Sequence, residues 1–241
     1  MALTIESFGQ TDIGLKRKIN QDAYLKDDSL GLYVVADGMG GHKGGEVASR
    51  LCVEKVKEYL VEHPNQPARD VLDNGINLSC EAIYRTSRES DELAGMGTTV
   101  VALYFRDGGV HIGQVGDSRV YLMNTDGIWQ VTEDHSLLNE EIRAGRIAAN
   151  QVAAYQFKNV ITRSVGYESA VNVDIYRRQV KVDDTFLLCT DGLSGLVNIK
   201  EMWEHVYQDG MANGLQNLVR LANSRGGDDN ITAVVCRVTS L

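Results

Sequence analysis

The chain has 241 residues, of which 43% are hydrophobic, with 24 basic against 33 acidic side chains and a formal charge of -9. That length allows one or two domains with a self-sufficient core and, with this hydrophobic content, excludes disordered and fibrous classes. The acidic balance argues against a general binder of nucleic acid or anionic membrane, since either needs a basic face, so any anionic substrate has to be met by local positive charge.

In chain order, the N-terminal stretch Met1 to Glu6 lacks the basic and apolar segments of a signal peptide. Leu32 to Ala36 forms an apolar strand, and Gly45 to Glu62 places Val47, Leu51, Val56 and Leu60 on one helical stripe. The two prolines of the chain, Pro64 and Pro67, mark a loop, after which Leu72, Ile76 and Ile83 continue a helical rhythm. β-branched and apolar runs follow at Thr98–Phe105, Val110–Val115, Arg119–Met123 and Gly127–Val131. Their connections are too short for parallel crossovers, which predicts an antiparallel meander. A helix is expected over Ser136–Ala144, whereas 148–167 carries no assignable pattern. Strands resume at Val171–Val180, Thr185–Cys189 and Ile231–Val238, with helices near Glu201–Tyr207 and Leu215–Ala222. The class is α+β, and without a linker, repeat or charge block a single domain over residues 1–241 is expected.

Cys52, Cys80, Cys189 and Cys236 lie apart in apolar stretches and read as buried thiols of a reducing compartment. The longest wholly apolar run, Val100–Phe105, falls far short of the ~18 residues of a membrane span. A soluble cytoplasmic protein is expected.

Four carboxylates recur beside glycine next to apolar strands: Asp37 after Leu32–Ala36, Asp117 after His111–Gly116, Asp191 after Phe186–Thr190, and Asp229 before Ile231–Val235. Any one of them alone is an ordinary turn residue. Strand ends can converge, however, and several carboxylates brought together repel unless a cation joins them. An all-oxygen set suits Mg²⁺ or Mn²⁺ better than Zn²⁺, which favours His and Cys. The segment Asp37-Gly38-Met39-Gly40-Gly41-His42-Lys43-Gly44-Gly45 joins a strand to a helix but fits neither nucleotide-loop pattern. Its glycines let the backbone pass close to something, a metal bound through a main-chain carbonyl being one option and a plain flexible turn the other.

The runs Arg17-Lys18-Ile19-Asn20-Gln21-Asp22, Asp37-Gly38-Met39-Gly40-Gly41-His42, Met96-Gly97-Thr98-Thr99, Val115-Gly116-Asp117-Ser118-Arg119, Asp134-His135-Ser136, Cys189-Thr190-Asp191-Gly192-Leu193 and Gly226-Gly227-Asp228-Asp229-Asn230-Ile231-Thr232 resemble, in order and spacing, the metal-dependent PP2C (PPM) serine/threonine protein phosphatases. The chain looks like a compact bacterial member consisting of the catalytic domain. The resemblance implies a central β-sandwich of two antiparallel sheets flanked by pairs of helices, in αββα layers. It implies that Asp37 bridges two Mn²⁺ or Mg²⁺ ions, that the Gly38 carbonyl binds one of them, and that Asp191 and Asp229 complete the pair. Asp117 would bind a third, weaker ion, Asp22 would hold water beside the ions, and Arg17 would grip the substrate phosphate. A water or hydroxide between two such ions is a strong nucleophile near neutral pH.

His42 would protonate the leaving group, contact substrate or cap the following helix; His135 is expected to fix a turn. The family's mobile flap corresponds to about residues 139–165, here without the His-Pro pair that many bacterial relatives carry, and Arg163 at its end is a candidate substrate contact. Implied partners are phosphorylated proteins and an opposing Ser/Thr kinase, with no nucleic acid, no membrane and a monomeric state. Two other readings are a pseudophosphatase, disfavoured because no core ligand is missing, and a phosphodiesterase acting on small nucleotides.

Overall fold

Among the described residues, eleven strands and six α-helices follow one another in runs of one kind rather than in strict alternation. The structure, a computed structural model, describes residues 3–40, 44–148, 151–152, 155–157 and 160–241. One sheet has the order β1 (Thr4–Asp12), β11 (Ile231–Ser240), β10 (Thr185–Cys189), β7 (Arg119–Asn124), β8 (Gly127–Gln130). The other runs β2 (Asp22–Asp27), β3 (Leu32–Met39), β5 (Val100–Arg106), β6 (Gly109–Val115), β9 (Asp174–Gln179), with the two-residue β4 (Gly97–Thr98) also on β3. Every strand pairing between these elements is antiparallel.

Side-chain alternation sorts the apolar residues into three layers. On β3, Leu32, Val34 and Ala36 pack beneath α1 (Gly44–Glu62) and α2 (Ala68–Thr86), while Tyr33 and Val35 face the opposite sheet. On β10, Phe186 and Leu188 face inward, whereas Leu187 and Cys189 meet α5 (Ile199–Gln208) and α6 (Met211–Ser224). The αββα sandwich expected from the sequence is the observed architecture. All four cysteines are free and buried. Among the described residues, no helix is long and apolar enough to cross a membrane.

The expected four-strand meander is corrected. β5 and β6 lie in one sheet, β7 and β8 in the other, and Gly116-Asp117-Ser118 carries the chain between them. The crossing is possible because Gly116 adopts φ +100, a conformation side chains resist. The expected strand at 98–105 is split at Thr99 into β4 and β5, and that at 171–180 is reduced to β9. β1 and β2 escaped the sequence reading because they are mostly half-exposed and polar, β1 burying a single residue, Ser7. A short helix α4 (Asp191–Ser194) follows β10, and α3 (Leu137–Arg143) is capped by Ser136, whose side chain accepts from the Asn139 N–H. Beyond α3, residues 160–173 form no regular element, only bridges of Ile161 to Ser136 and of Val165 to Thr98.

Candidate active site

The carboxylates collect at one rim of the sandwich because the strands that carry them end or begin there. By alternation from Tyr33 and Val35, Asp37 faces the space between the sheets, and Asp22, directly opposite it on β2, shares that face. From the other sheet, the Thr190 hydroxyl donates to Asp22 Oδ2 at 3.0 Å, and the Thr190 N–H bonds the Thr232 carbonyl at 3.0 Å. Asp191, the next residue, lies within hydrogen-bonding reach of Asp37. Asp117 in the crossing, Asp191 and Asp229 line one cleft of about 560 Å³. The structure thus brings Asp22, Asp37, Asp117, Asp191 and Asp229 together, while His42 lies outside the described residues.

Burial dominates the electrostatics and mutual repulsion adds to it. Asp37 is held well above the usual carboxylate range by burial, then by Asp22, Asp191, Asp117 and Asp229. Burial likewise pushes Asp22 up to about 7, and Asp117 up to about 7 with Asp191 and Asp134 adding to it. Asp191 is raised by burial and by Asp229. Within this cluster two buried oxygens, Asp22 Oδ1 and Asp191 Oδ1, have no hydrogen-bond partner. Buried polar atoms are rarely left so, and each such atom calls for a partner the protein itself does not supply.

Among the described residues, no three His, Cys, Asp or Glu side chains are grouped so that, as they stand, they could hold a metal ion, and Asp229 turns Oδ2 to Arg17 at 2.6 Å. The donor chemistry nonetheless fits hard divalent ions: oxygens only, several carboxylates within Coulomb reach, and two buried oxygens with free lone pairs. The glycine expectation is sharpened. A Cβ at Gly38 would stand 2.0 Å from the Gly45 carbonyl and 2.4 Å from that of Gln21, so what its backbone approaches is other backbone.

The residues around the carboxylates are tied together by bonds, among them those of Thr99 and Ser118, to which sequence reasoning gave no role. Thr99 and Asp37 are reciprocal: the Thr99 N–H donates to the Asp37 carbonyl at 2.9 Å, and the Asp37 N–H to Thr99 Oγ1 at 3.1 Å. Thr99 Oγ1 also meets Ser118 Oγ at 2.7 Å, which links β3 to the crossing. His135 brackets that crossing, accepting the Gly116 N–H at Nδ1 (3.1 Å) while its own N–H bonds the Gly116 carbonyl at 3.0 Å. With Nδ1 an acceptor, Nε2 carries the proton toward Asp174 Oδ2 at 3.1 Å. Arg163 reaches Asp174 Oδ1 at 2.8 Å. Arg119 grips both oxygens of Asp134, which removes that aspartate from the free donors.

Arg17 sits in the loop between β1 and β2, its side chain 48% exposed. Asn230 braces that loop, donating to the Ile13 and Ile19 carbonyls at 2.9 and 3.1 Å and accepting the Gln21 N–H at 2.8 Å. The Gly227 carbonyl accepts from Leu15 and Lys16. The run after Gly226 therefore fixes the arginine loop as well as carrying Asp229.

A helix-flanked antiparallel β-sandwich with an oxygen-rich acidic cleft and an arginine at its rim defines a class of hydrolase scaffold suited to phosphate and divalent ions. Residues 16–231 match the family described as Protein phosphatase 2C. The chain is 34% identical over 234 residues to the serine/threonine phosphatase stp of Listeria innocua, covering 94% of this chain and 93% of that one. Protein phosphatase PhpP of Streptococcus pneumoniae is 32% identical, with 93% and 94% covered. The solved structure of the Mycobacterium tuberculosis serine/threonine phosphatase PstP/Ppp superposes with a TM-score of 0.93 at 30% identity, over 99% of this chain and all of the other. A catalytic domain of PstP in complex with two manganese ions gives 0.90 at 30% identity, with 99% and 100% covered. This chain belongs to the protein phosphatase 2C family.

Proposed function

We propose that the chain hydrolyses phosphoserine and phosphothreonine in proteins with Mn²⁺ or Mg²⁺. The observation that carries this is the buried convergence of Asp22, Asp37 and Asp191, two of whose oxygens lack partners. The Asp37, Asp191 and Asp229 carboxylates and the Gly38 carbonyl would hold two ions, and Asp117 a third. When bound, such ions lower the pKa of water and offset the charge that develops on a transferring phosphoryl group.

The protein's own groups have distinct tasks. Asp22 Oδ2 is fixed by the Thr190 hydroxyl, so Oδ1 is aimed as an acceptor for a water proton. Arg17 presents a planar fork matched to a phosphate's oxygens, and its bond to Asp229 keeps it at the rim. His42 is retained as a candidate proton donor to the leaving alkoxide. The chain acts as one monomeric catalytic domain with a flap at about 139–165, in the cytoplasm, opposing a Ser/Thr kinase.

The test is hydrolysis of p-nitrophenyl phosphate and of a phosphothreonine peptide with and without Mn²⁺. Asp37→Ala and Asp191→Ala are expected to lose turnover by at least about a hundredfold, the scale on which electrostatic stabilisation acts; wild-type rates in either would refute the reading. For Asp117→Ala a large fall in kcat is expected with two ions still bound by calorimetry. Loss of all binding would reassign Asp117.

A further inference from the structure

We propose that the cavity beside Met39 is a specificity pocket for an arginine or lysine flanking the phosphorylated residue of a substrate protein, an inference that rests on the phosphatase reading above. The cavity has a volume of about 630 Å³, with Met39, Arg163, Tyr167, Glu168 and Val171 among its lining residues. It holds none of the clustered aspartates.

Its position follows from β3. Met39 ends that strand two residues beyond Asp37, so the two side chains leave the same face about 7 Å apart at roughly 3.4 Å per residue. An extended peptide advances by the same distance in two residues. A phosphorylated residue over the carboxylates would therefore set a residue one to three positions away over the cavity.

The far wall is pinned. Val165 and Thr98 exchange both backbone hydrogen bonds, at 3.0 and 2.8 Å. The Cys80 thiol of α2 donates to the Glu168 carbonyl at 3.1 Å and accepts the Gly166 N–H at 3.3 Å. The Val171 N–H bonds Asn77 Oδ1 at 3.0 Å. The cavity is thus formed before any ligand arrives, which lowers the ordering cost of binding.

Charge selects the occupant. Arg163 is already matched by Asp174 at 2.8 Å. Among the described residues, Glu168 is exposed and no basic side chain pairs with it. Tyr167, 73% exposed, offers an aromatic face beside it. An aliphatic stem laid on Met39 and Val171, ending in a cation against the ring and the carboxylate, describes Arg or Lys. An acidic residue would be repelled by Glu168.

The experiment compares kcat/KM of the full chain with Mn²⁺ on phosphothreonine peptides that differ only in carrying arginine, alanine or glutamate one to three positions from the phosphothreonine. Arginine is expected to exceed alanine by roughly three- to tenfold, chiefly through KM, as exposed cation–π and ion pairs together allow. Glutamate should be poorest, and the preference should shrink with salt and in Glu168→Gln and Tyr167→Ala, both at exposed positions. Equal kcat/KM across the peptides, or a preference that survives both substitutions, overturns the pocket. Turnover of p-nitrophenyl phosphate by the same preparation separates that failure from failure of the phosphatase reading.

Discussion

Thr99 shows how one hydroxyl couples two carboxylates. It is 1% exposed, accepts the Asp37 N–H and bonds Ser118, one residue from Asp117. Thr99→Val keeps the shape but strands a buried N–H and a buried hydroxyl, so a loss of about 1–3 kcal/mol in urea unfolding is expected. A fall in kcat should accompany it as Asp37 and Asp117 lose their common anchor, and unchanged stability would refute that role. In the sequence, Thr98-Thr99 reads as two more β-branched strand residues, because nothing local announces a hydroxyl aimed at a strand 62 positions away. The aspartates were legible for the opposite reason. A carboxylate beside glycine at the end of an apolar run is conspicuous locally, and four of them shift the odds, whereas the residues that position them look like ordinary strand and turn.

The helices were legible as elements because their buried stripes repeat within the segment. α2 buries Leu72, Ile76 and Ile83 as its period implies, and α1 buries the expected Val56 and Leu60, but its stripe is completed by Ala48 and Cys52, the expected Val47 and Leu51 being only half-buried beside it. What the period does not contain is the device that starts α5. Asn198 and Glu201 form a capping box, and Glu201 also takes Arg225 through both oxygens, at 2.7 and 2.6 Å. Bonding to Arg225, first of all, lowers the Glu201 carboxyl from the ordinary 4.5 to about 2. A lowered acid stabilises the fold above its unfolded pKa and loses that contribution as pH falls toward the folded one. The melting-temperature gap between wild type and Glu201→Gln is therefore expected to hold from pH 7 to pH 5.5, narrow below pH 4.5 and close near pH 2. A gap independent of pH would assign the effect to capping alone. For strands the difficulty was partnership: β5 to β8 were each visible, but which sheet each joins depends on the far side of the sandwich.

At the scale of the molecule, the layer between the sheets holds the two halves of the site in register. Phe186 is 1% exposed there and meets Phe105 edge to face at 5.6 Å. Phe186→Ala is expected to cost about 3–5 kcal/mol by chemical denaturation, with activity and secondary structure lost in one transition. Activity lost well before the fold would show that the two sheets can part locally. This layer was only half legible: the apolar strands were evident, but their assignment to two sheets was not, since a turn at Gly116-Asp117-Ser118 reads alike whether it reverses a strand or crosses a sandwich. The Asn230 brace and the Arg17–Asp229 pair join positions more than 200 residues apart, 212 in the latter case. Contacts of that span form late, since a long loop must close before they repay its entropy. Asp229 stands two residues before β11, the strand that lies between β1 and β10. A polypeptide still emerging from the ribosome therefore lacks the proposed catalytic centre until that strand has inserted, and a fragment truncated before Ile231 is expected to be inert toward every phosphoprotein around it.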